Sequence, residues 1–177
     1  MCDYNSLMID AINNNKNDDK WANAPFEGIK LVSNTAVGSV GQSFVRNVCN
    51  ELGIANKPPI TSKGKEAYNS PWDLKIENVT FEIKTASEDT KGRYQFNHVR
   101  LHREYDALLC IGISPDNIYF QVWTKAEIAT GGAGKLTSME KGGASDFKLS
   151  KSKKALLPIE MFEVALTDFI ENNFTGC

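Results

Sequence analysis

Apolar and polar positions alternate most sharply in VTFEIKTA, residues 79–86. Successive side chains of a strand point to opposite faces. Val79, Phe81 and Ile83 therefore share one face, and Thr80, Glu82 and Lys84 share the other. The preceding WDLKI repeats the pattern, with Leu74 and Ile76 on the apolar face and Asp73 on the polar one. A turn at Glu77-Asn78 joins the two runs, so residues 72–86 predict a β-hairpin.

The rest of the chain supplies partners for it. In SVGQSFVRNVCNELG, Val40, Phe44, Val48 and Leu52 recur every four residues. This predicts a helix over 39–52, capped by Ser39 and ended by Gly53 in a left-handed conformation. QFNHVRLHREY sets Phe96, Val99 and then Arg100 or Arg103 at helical intervals, predicting a second helix near 95–104. DALLCIGIS is a continuous apolar run of strand length, the pattern of a strand buried inside a sheet near 106–113. After an SPDN turn, IYFQVW alternates and reads as a further strand. IEMFEVALTDFIENNF predicts an acidic amphipathic helix over about 159–173. Residues 7–12 hold a short amphipathic piece, 55–70 read as loop, and the glycine-rich 129–150 as a long loop or loose hairpin. The order of elements predicts an α/β fold on a small mixed β-sheet flanked by helices.

A length of 177 residues suits a single domain with a core of its own, and 41% hydrophobic with 24% charged residues is an ordinary globular balance. No apolar run approaches the roughly 18 residues of a membrane span, so no membrane partner is expected. The polar, acidic N-terminal stretch does not read as a signal peptide. Cys2, Cys49, Cys110 and Cys177 are too scattered for a disulfide framework or a zinc knuckle. The expected setting is reducing and cytoplasmic, with free thiols.

A net charge of −2 gives no sign of a polyanion partner, but its distribution does. Residues 129–158 carry six lysines against Glu140 and Asp146, and Lys57 to Lys65 add three lysines with no acid. Residues 159–177 carry Glu160, Glu163, Asp168 and Glu171 and no base. One part of the molecule can therefore face a phosphate backbone while another does not. Solvated lysine loops are the competing reading of the same runs.

The hairpin carries the chemistry. Folding back through Glu77-Asn78 brings Asp73 alongside the second arm, near Glu82 or Lys84. Two neighbouring carboxylates repel unless a cation sits between them. Oxygen ligands without histidine or thiolate favour Mg²⁺, with Mn²⁺ as a substitute. Such a site with a lysine beside it suits phosphodiester hydrolysis. A surface hairpin bearing a Glu–Lys pair is the bland alternative.

Asp73 followed by Glu82-Ile83-Lys84 resembles the PD-(D/E)XK nuclease superfamily, especially its type II restriction endonucleases. The resemblance covers roughly residues 36–125 and implies a restriction-endonuclease-like core. It implies that Asp73 and Glu82 hold Mg²⁺, that the backbone carbonyl of Ile83 is a further ligand, and that Lys84 assists the attacking water. The pattern departs in two places: Trp72 separates Pro71 from Asp73, and Gln42 stands where many members carry a glutamate on the first helix. The implied partner is double-stranded DNA. The implied assembly is a homodimer, because cutting both strands of a symmetric site takes two active sites. Gln95, Asn97, His98 and Arg100 become candidate DNA contacts, as do Lys63, Lys65, Lys135 and Lys141 in the basic segments. A repair, nicking or phage nuclease of the same fold, a DNA-binding module without catalysis, and an unrelated interaction domain are the alternatives.

Two other signals are weak. GGAGKLT (131–137) lacks the first glycine and the Ser/Thr of a phosphate-binding loop. His98 and His102 stand four apart, a zinc spacing on a helix, but no glutamate follows His98 and no cysteine pair accompanies them.

Overall fold

A computed structural model of the chain describes residues 5, 8, 9, 20–67, 69–139 and 146–175. Of the amphipathic N-terminal piece, Met8 and Ile9 are helical and exposed, and the other positions lie outside the described residues.

Helix α1 (Asn34–Glu51) begins five residues before the expected start at Ser39, because Ser33 caps it and accepts a hydrogen bond from the Ala36 amide. Its end is as expected. Gly53 takes φ 71°, its amide donates to the Asn50 carbonyl, and the Ile54 amide donates to Cys49. This paired closure satisfies carbonyls that the last turn would otherwise leave open. The buried line is Gly41, Val45 and Cys49, while Val40 and Leu52 are exposed. Four-residue spacing fits two adjacent stripes about 100° apart, and packing selects the one with the small residue. A Cβ on Gly41 would lie 1.7 Å from the Thr85 hydroxyl oxygen, so the helix backbone lies directly against the sheet there.

The hairpin forms from β2 (Leu74–Ile76) and β3 (Val79–Ser87), paired Leu74 to Phe81 and Ile76 to Val79. Glu77 takes the positive φ of the tight turn, 51°. Its amide donates to the Ala55 carbonyl, and its carboxylate accepts from the Ala55 amide. That anchors the turn beside β1 (Asn56–Lys57), the strand paired with β2. The buried run is β5 (Ala107–Ile113), every residue of it buried, and it pairs parallel to β3. Antiparallel β6 (Ile118–Thr124) and β9 (Leu157–Pro158) complete a six-stranded mixed sheet in the order β1-β2-β3-β5-β6-β9.

The segment near 95–104 is not a helix. It forms β4 (Arg93–Val99), which joins β8 (Phe147–Ser152) and β7 (Leu136–Ser138) in a second, three-stranded sheet. Tyr94 and Phe96 are buried and Gln95 and Asn97 exposed, the alternation of a strand. A bulge between Phe96 and Val99, with His98 at φ 59°, inserts one extra residue and returns Val99 to the core. Phe96 and Val99 therefore sit three apart, which imitates a helical interval. His98 and His102 do not share a helix face.

Between the sheets, α2 (Lys125–Thr130) starts at a Thr124–Glu127 capping box and ends at Gly131 with φ 81°. Within 129–150, β7 and β8 form the hairpin alternative, and residues 140–145 lie outside the described set. Helix α3 (Phe162–Phe174) follows a 3₁₀ turn at Ile159–Met161 and buries Phe162, Leu166 and Ile170.

The main sheet is covered on both faces. On one, Phe81, Ile83, Leu109, Ile111 and Phe120 pack with Val45 and Cys49 of α1 and Phe162 and Leu166 of α3. On the other, Leu108, Cys110 and Trp123 pack with Tyr94, Phe96 and Leu149 of the second sheet. Burial on both sides is why β5 carries no polar alternation. Cys49 and Cys110 are free and buried, and Cys2 and Cys177 lie outside the described residues. Among the described residues no helix is long and apolar enough to cross a membrane.

Candidate active site

The site exists because β2 is short and β3 is long. Three residues of β2 pair with the start of the nine-residue β3, and the Asp73 amide then donates to the Phe81 carbonyl at 2.8 Å. One further step in that register sets Asp73 opposite Glu82. There β2 ends, and the next amide of β3 needs another acceptor. Asp73 provides it: its Oδ2 accepts from the Ile83 amide at 2.7 Å. Asp73 is thus placed by backbone pairing on one side and by its own carboxylate on the other.

Glu82 is 3% exposed. Lys84, two residues along the same face, donates to its Oε1 at 2.6 Å, while Oε2 is buried with no hydrogen-bond partner. Burial pushes the Glu82 carboxyl above its ordinary range. Lys84 and the Arg100 backbone amide oppose the rise, and the Asp73 charge adds to it. Burial also raises Asp73, against the pull of the Ile83 amide, Lys84, Arg103 and Arg100. Both acids remain costly to ionise despite these partners. A cation between them would relieve that cost.

The donor set suits a hard divalent ion. It consists of two carboxylates, one with an orphaned buried oxygen, and no histidine or cysteine. Mg²⁺ is commonly held by one or two carboxylates with waters and phosphate oxygens completing its shell. Among the described residues there is no group of three or more His, Cys, Asp or Glu able to hold a metal, so an ion at this pair would take the rest of its shell from carbonyl, water or phosphate oxygens. Ile83 contributes its amide to Asp73, and its side chain is buried in the core.

The acids open onto a cleft of about 990 Å³ between α1 and β4. Gln42 and Ser43 line it from α1, residues 82–87 of β3 form its floor, and Gln95, Asn97, His98, Arg100 and Arg103 stand on the far side. Asp73, Glu82, Lys84, Gln42, Gln95, Asn97, His98 and Arg100, all singled out from the sequence, are therefore brought to one place. The bulge at His98 is also what aims this wall. Asp146 gathers two of its members, with Oδ2 2.8 Å from His98 Nδ1 and Oδ1 accepting from Arg100 Nε at 3.2 Å. The His98 bond leads in holding the Asp146 carboxyl below its usual range. Gln95 is tied to Asp89 through a 3.3 Å bond from Nε2.

Lys63, Lys65 and Lys135 are exposed and do not line the cleft, and Lys141 lies outside the described residues. Part of the 129–158 lysine run is structural. Lys151 donates to the Ala133 carbonyl and lies 4.9 Å from the Trp123 ring centre, and Lys153 pairs with Glu88 at 3.6 Å. Trp123 is core, and Trp72 lines the cleft half-buried.

Arg46 and Arg103 were not singled out by sequence. Arg103 Nη1 donates to the Ser70 carbonyl at 3.0 Å, and Arg46 pairs with Glu66 at 2.6 Å. Both line the cleft, and no local pattern marks them, since their place depends on loops folding back over 20 or more residues. Four bases (Arg46, Lys84, Arg100, Arg103) face four acids (Glu66, Asp73, Glu82, Asp89), so the lining is charge-balanced before histidine is counted. A divalent ion would make it positive.

No family model matches the chain, and no curated protein matches it. Among solved structures, a bacterial homing endonuclease, I-Ssp6803I, superposes with a TM-score of 0.47 at 13% identity, over 80% of this chain and 94% of that one.

Proposed function

We propose that the chain is a Mg²⁺-dependent endodeoxyribonuclease of the type II restriction kind, hydrolysing phosphodiester bonds at a specific double-stranded site. One observation carries the reading: Asp73 stands opposite a buried Glu82 that has an orphaned oxygen and Lys84 at 2.6 Å, at the floor of an open cleft. In this reading Asp73 and Glu82 hold Mg²⁺, or Mn²⁺ in its place, and the Ile83 carbonyl joins them. The ion supplies Lewis acidity toward the phosphate and the attacking water.

The chain's own groups do the rest. Lys84, held by Glu82, hydrogen-bonds and orients the water. Gln42 offers a neutral amide to the same water without adding charge. Arg100 and Arg103 meet the phosphate that is cut. Gln95, Asn97 and His98 face the duplex from the bulged strand. Lys63, Lys65, Lys135 and Lys141 contact phosphates farther along, where they set register and affinity. Cutting both strands takes two copies, and a homodimer supplies them.

The test is digestion of supercoiled plasmid with Mg²⁺ and with EDTA. Discrete fragments that require Mg²⁺ support the reading. Nicks or smears point instead to a nicking or repair nuclease. Intact DNA with a salt-sensitive gel shift points to a binding module and overturns the catalytic assignment.

A further inference from the structure

Glu82 has a neighbour in the same condition. The Tyr105 hydroxyl is also buried and without a hydrogen-bond partner. Tyr105 is 5% exposed and packs in the core between the two sheets. The parallel register sets Glu82 beside Leu108, and Tyr105 packs in the same core cluster as Leu108, on the side of the sheet opposite Phe81 and Ile83 and therefore the side that Glu82 faces. Burial pushes the Tyr105 phenol up, and the Glu82 carboxylate adds to that. One is an O–H donor and the other an acceptor, and both are buried on the same side of the sheet. Native structures rarely leave such a pair unmade.

Tyr105 is held in place by the strand that carries Glu82. The next residue, Asp106, accepts from the Thr80 amide at 2.8 Å and from the Thr80 hydroxyl at 2.6 Å, and its own amide donates to the Thr80 carbonyl at 3.0 Å. Thr80 lies two residues before Glu82 on β3 and points to the same face. Lys125 fixes the ring, with its ammonium 5.0 Å from the ring centre and donating to the Arg103 carbonyl. The 80–106 clasp therefore keeps Tyr105 beside the strand that carries Glu82.

We infer that Tyr105 is the positioning residue of this site: its hydroxyl donates to Glu82 Oε2 and holds the carboxylate toward Asp73 for a divalent ion. This rests on the metal-site reading above. A carboxylate oxygen has two lone pairs, so Oε2 can accept from Tyr105 and still face the ion. Lys84 holds Oε1, Tyr105 holds Oε2, and the rotamer of Glu82 is set from both ends. Hydrogen-bonding partners of metal-ligating carboxylates typically contribute 10–100-fold to metal affinity or activity.

The experiment is Mn²⁺ binding to the full chain without DNA, by isothermal titration calorimetry, for wild type, Glu82→Gln and Tyr105→Phe, with a thermal melt of each. Tyr105→Phe deletes a hydroxyl that bonds nothing else and keeps the ring, so the variant folds. The expected result is binding by wild type, loss in Glu82→Gln, and about tenfold or greater weakening in Tyr105→Phe, with a cooperative melt at a modestly lower melting temperature, as the loss of one buried hydrogen bond dictates. A purely packing role for Tyr105 would leave Mn²⁺ affinity unmoved. If Glu82→Gln abolishes binding and Tyr105→Phe matches wild type, the role of Tyr105 is refuted while the metal site stands. If wild type does not bind Mn²⁺, or Glu82→Gln binds like wild type, the metal site fails and this inference fails with it.

Discussion

Gly41→Ala tests how the cleft is built. The added methyl would lie 1.7 Å from Thr85 Oγ1, 2.8 Å from Thr85 Cβ and 3.1 Å from Thr85 Cγ2. Turning Thr85 about χ1 moves the hydroxyl but not Cβ, so no rotamer removes the clash, and α1 must back away from β3. Overpacking of this kind costs about 1–3 kcal/mol, and a contact this close belongs at the upper end. Replacing a helical glycine by alanine returns about 1 kcal/mol. The net expectation is a loss of about 1–2 kcal/mol, or roughly 3–6 °C in melting temperature for a chain of this size. Gln42 is the next residue and lines the cleft, so DNA cleavage should fall as well. Thr85→Ala should be close to neutral, because the hydroxyl it removes is buried without a partner. In Gly41→Ala/Thr85→Ala the nearest atom is Cβ at 2.8 Å, and the double variant should recover about 0.5 kcal/mol or more relative to the sum of the singles. The assay is thermal and urea unfolding of the four proteins. An unchanged or raised melting temperature for Gly41→Ala, or strict additivity in the cycle, would refute the close approach of α1 to β3.

Three further outcomes are expected. Asp73→Asn should abolish cleavage yet strengthen the fold at neutral pH. Its carbonyl can still accept from Ile83, and the raised Asp73 carboxyl costs wild type stability only as pH climbs past the ordinary value of 3.8. The gain should therefore vanish in acid, and urea unfolding across pH that shows the variant weaker at pH 7 would contradict the assignment. Arg103→Ala should reduce the salt slope of DNA binding by about one released counterion, while Lys30→Ala, outside the cleft and outside the proposed phosphate contacts, leaves it nearly unchanged; fluorescence anisotropy over a salt series reads both, and a reversed order would move the interface away from the cleft. Gln42→Glu adds a carboxylate at the cleft wall and should tighten Mn²⁺ binding by about tenfold, whereas an unchanged calorimetric affinity would place that side chain away from the ion.

Local pattern was enough for much of this protein. The 72–86 hairpin and the 107–113 strand follow from where apolar side chains fall, because a two-residue period and a continuous apolar run each have one economical burial. The same pattern put Asp73, Glu82 and Lys84 on one face, since parity along a strand survives folding. Other features were decided only by contacts between distant segments. Phe96 and Val99 satisfy a helical interval and a bulged strand equally well, and the choice fell to pairing with β8, which begins some fifty residues later. The stripe on α1 was settled by Gly41 meeting Thr85, a contact that no local period encodes. Arg46 and Arg103 enter the cleft through loop closures, and Tyr105 is set beside the strand of Glu82 by the clasp of Asp106 to Thr80. Sequence carries parity and period, which are properties of a single segment. Which faces meet, and which charges are left buried without a partner, depends on the free energy of the assembled whole.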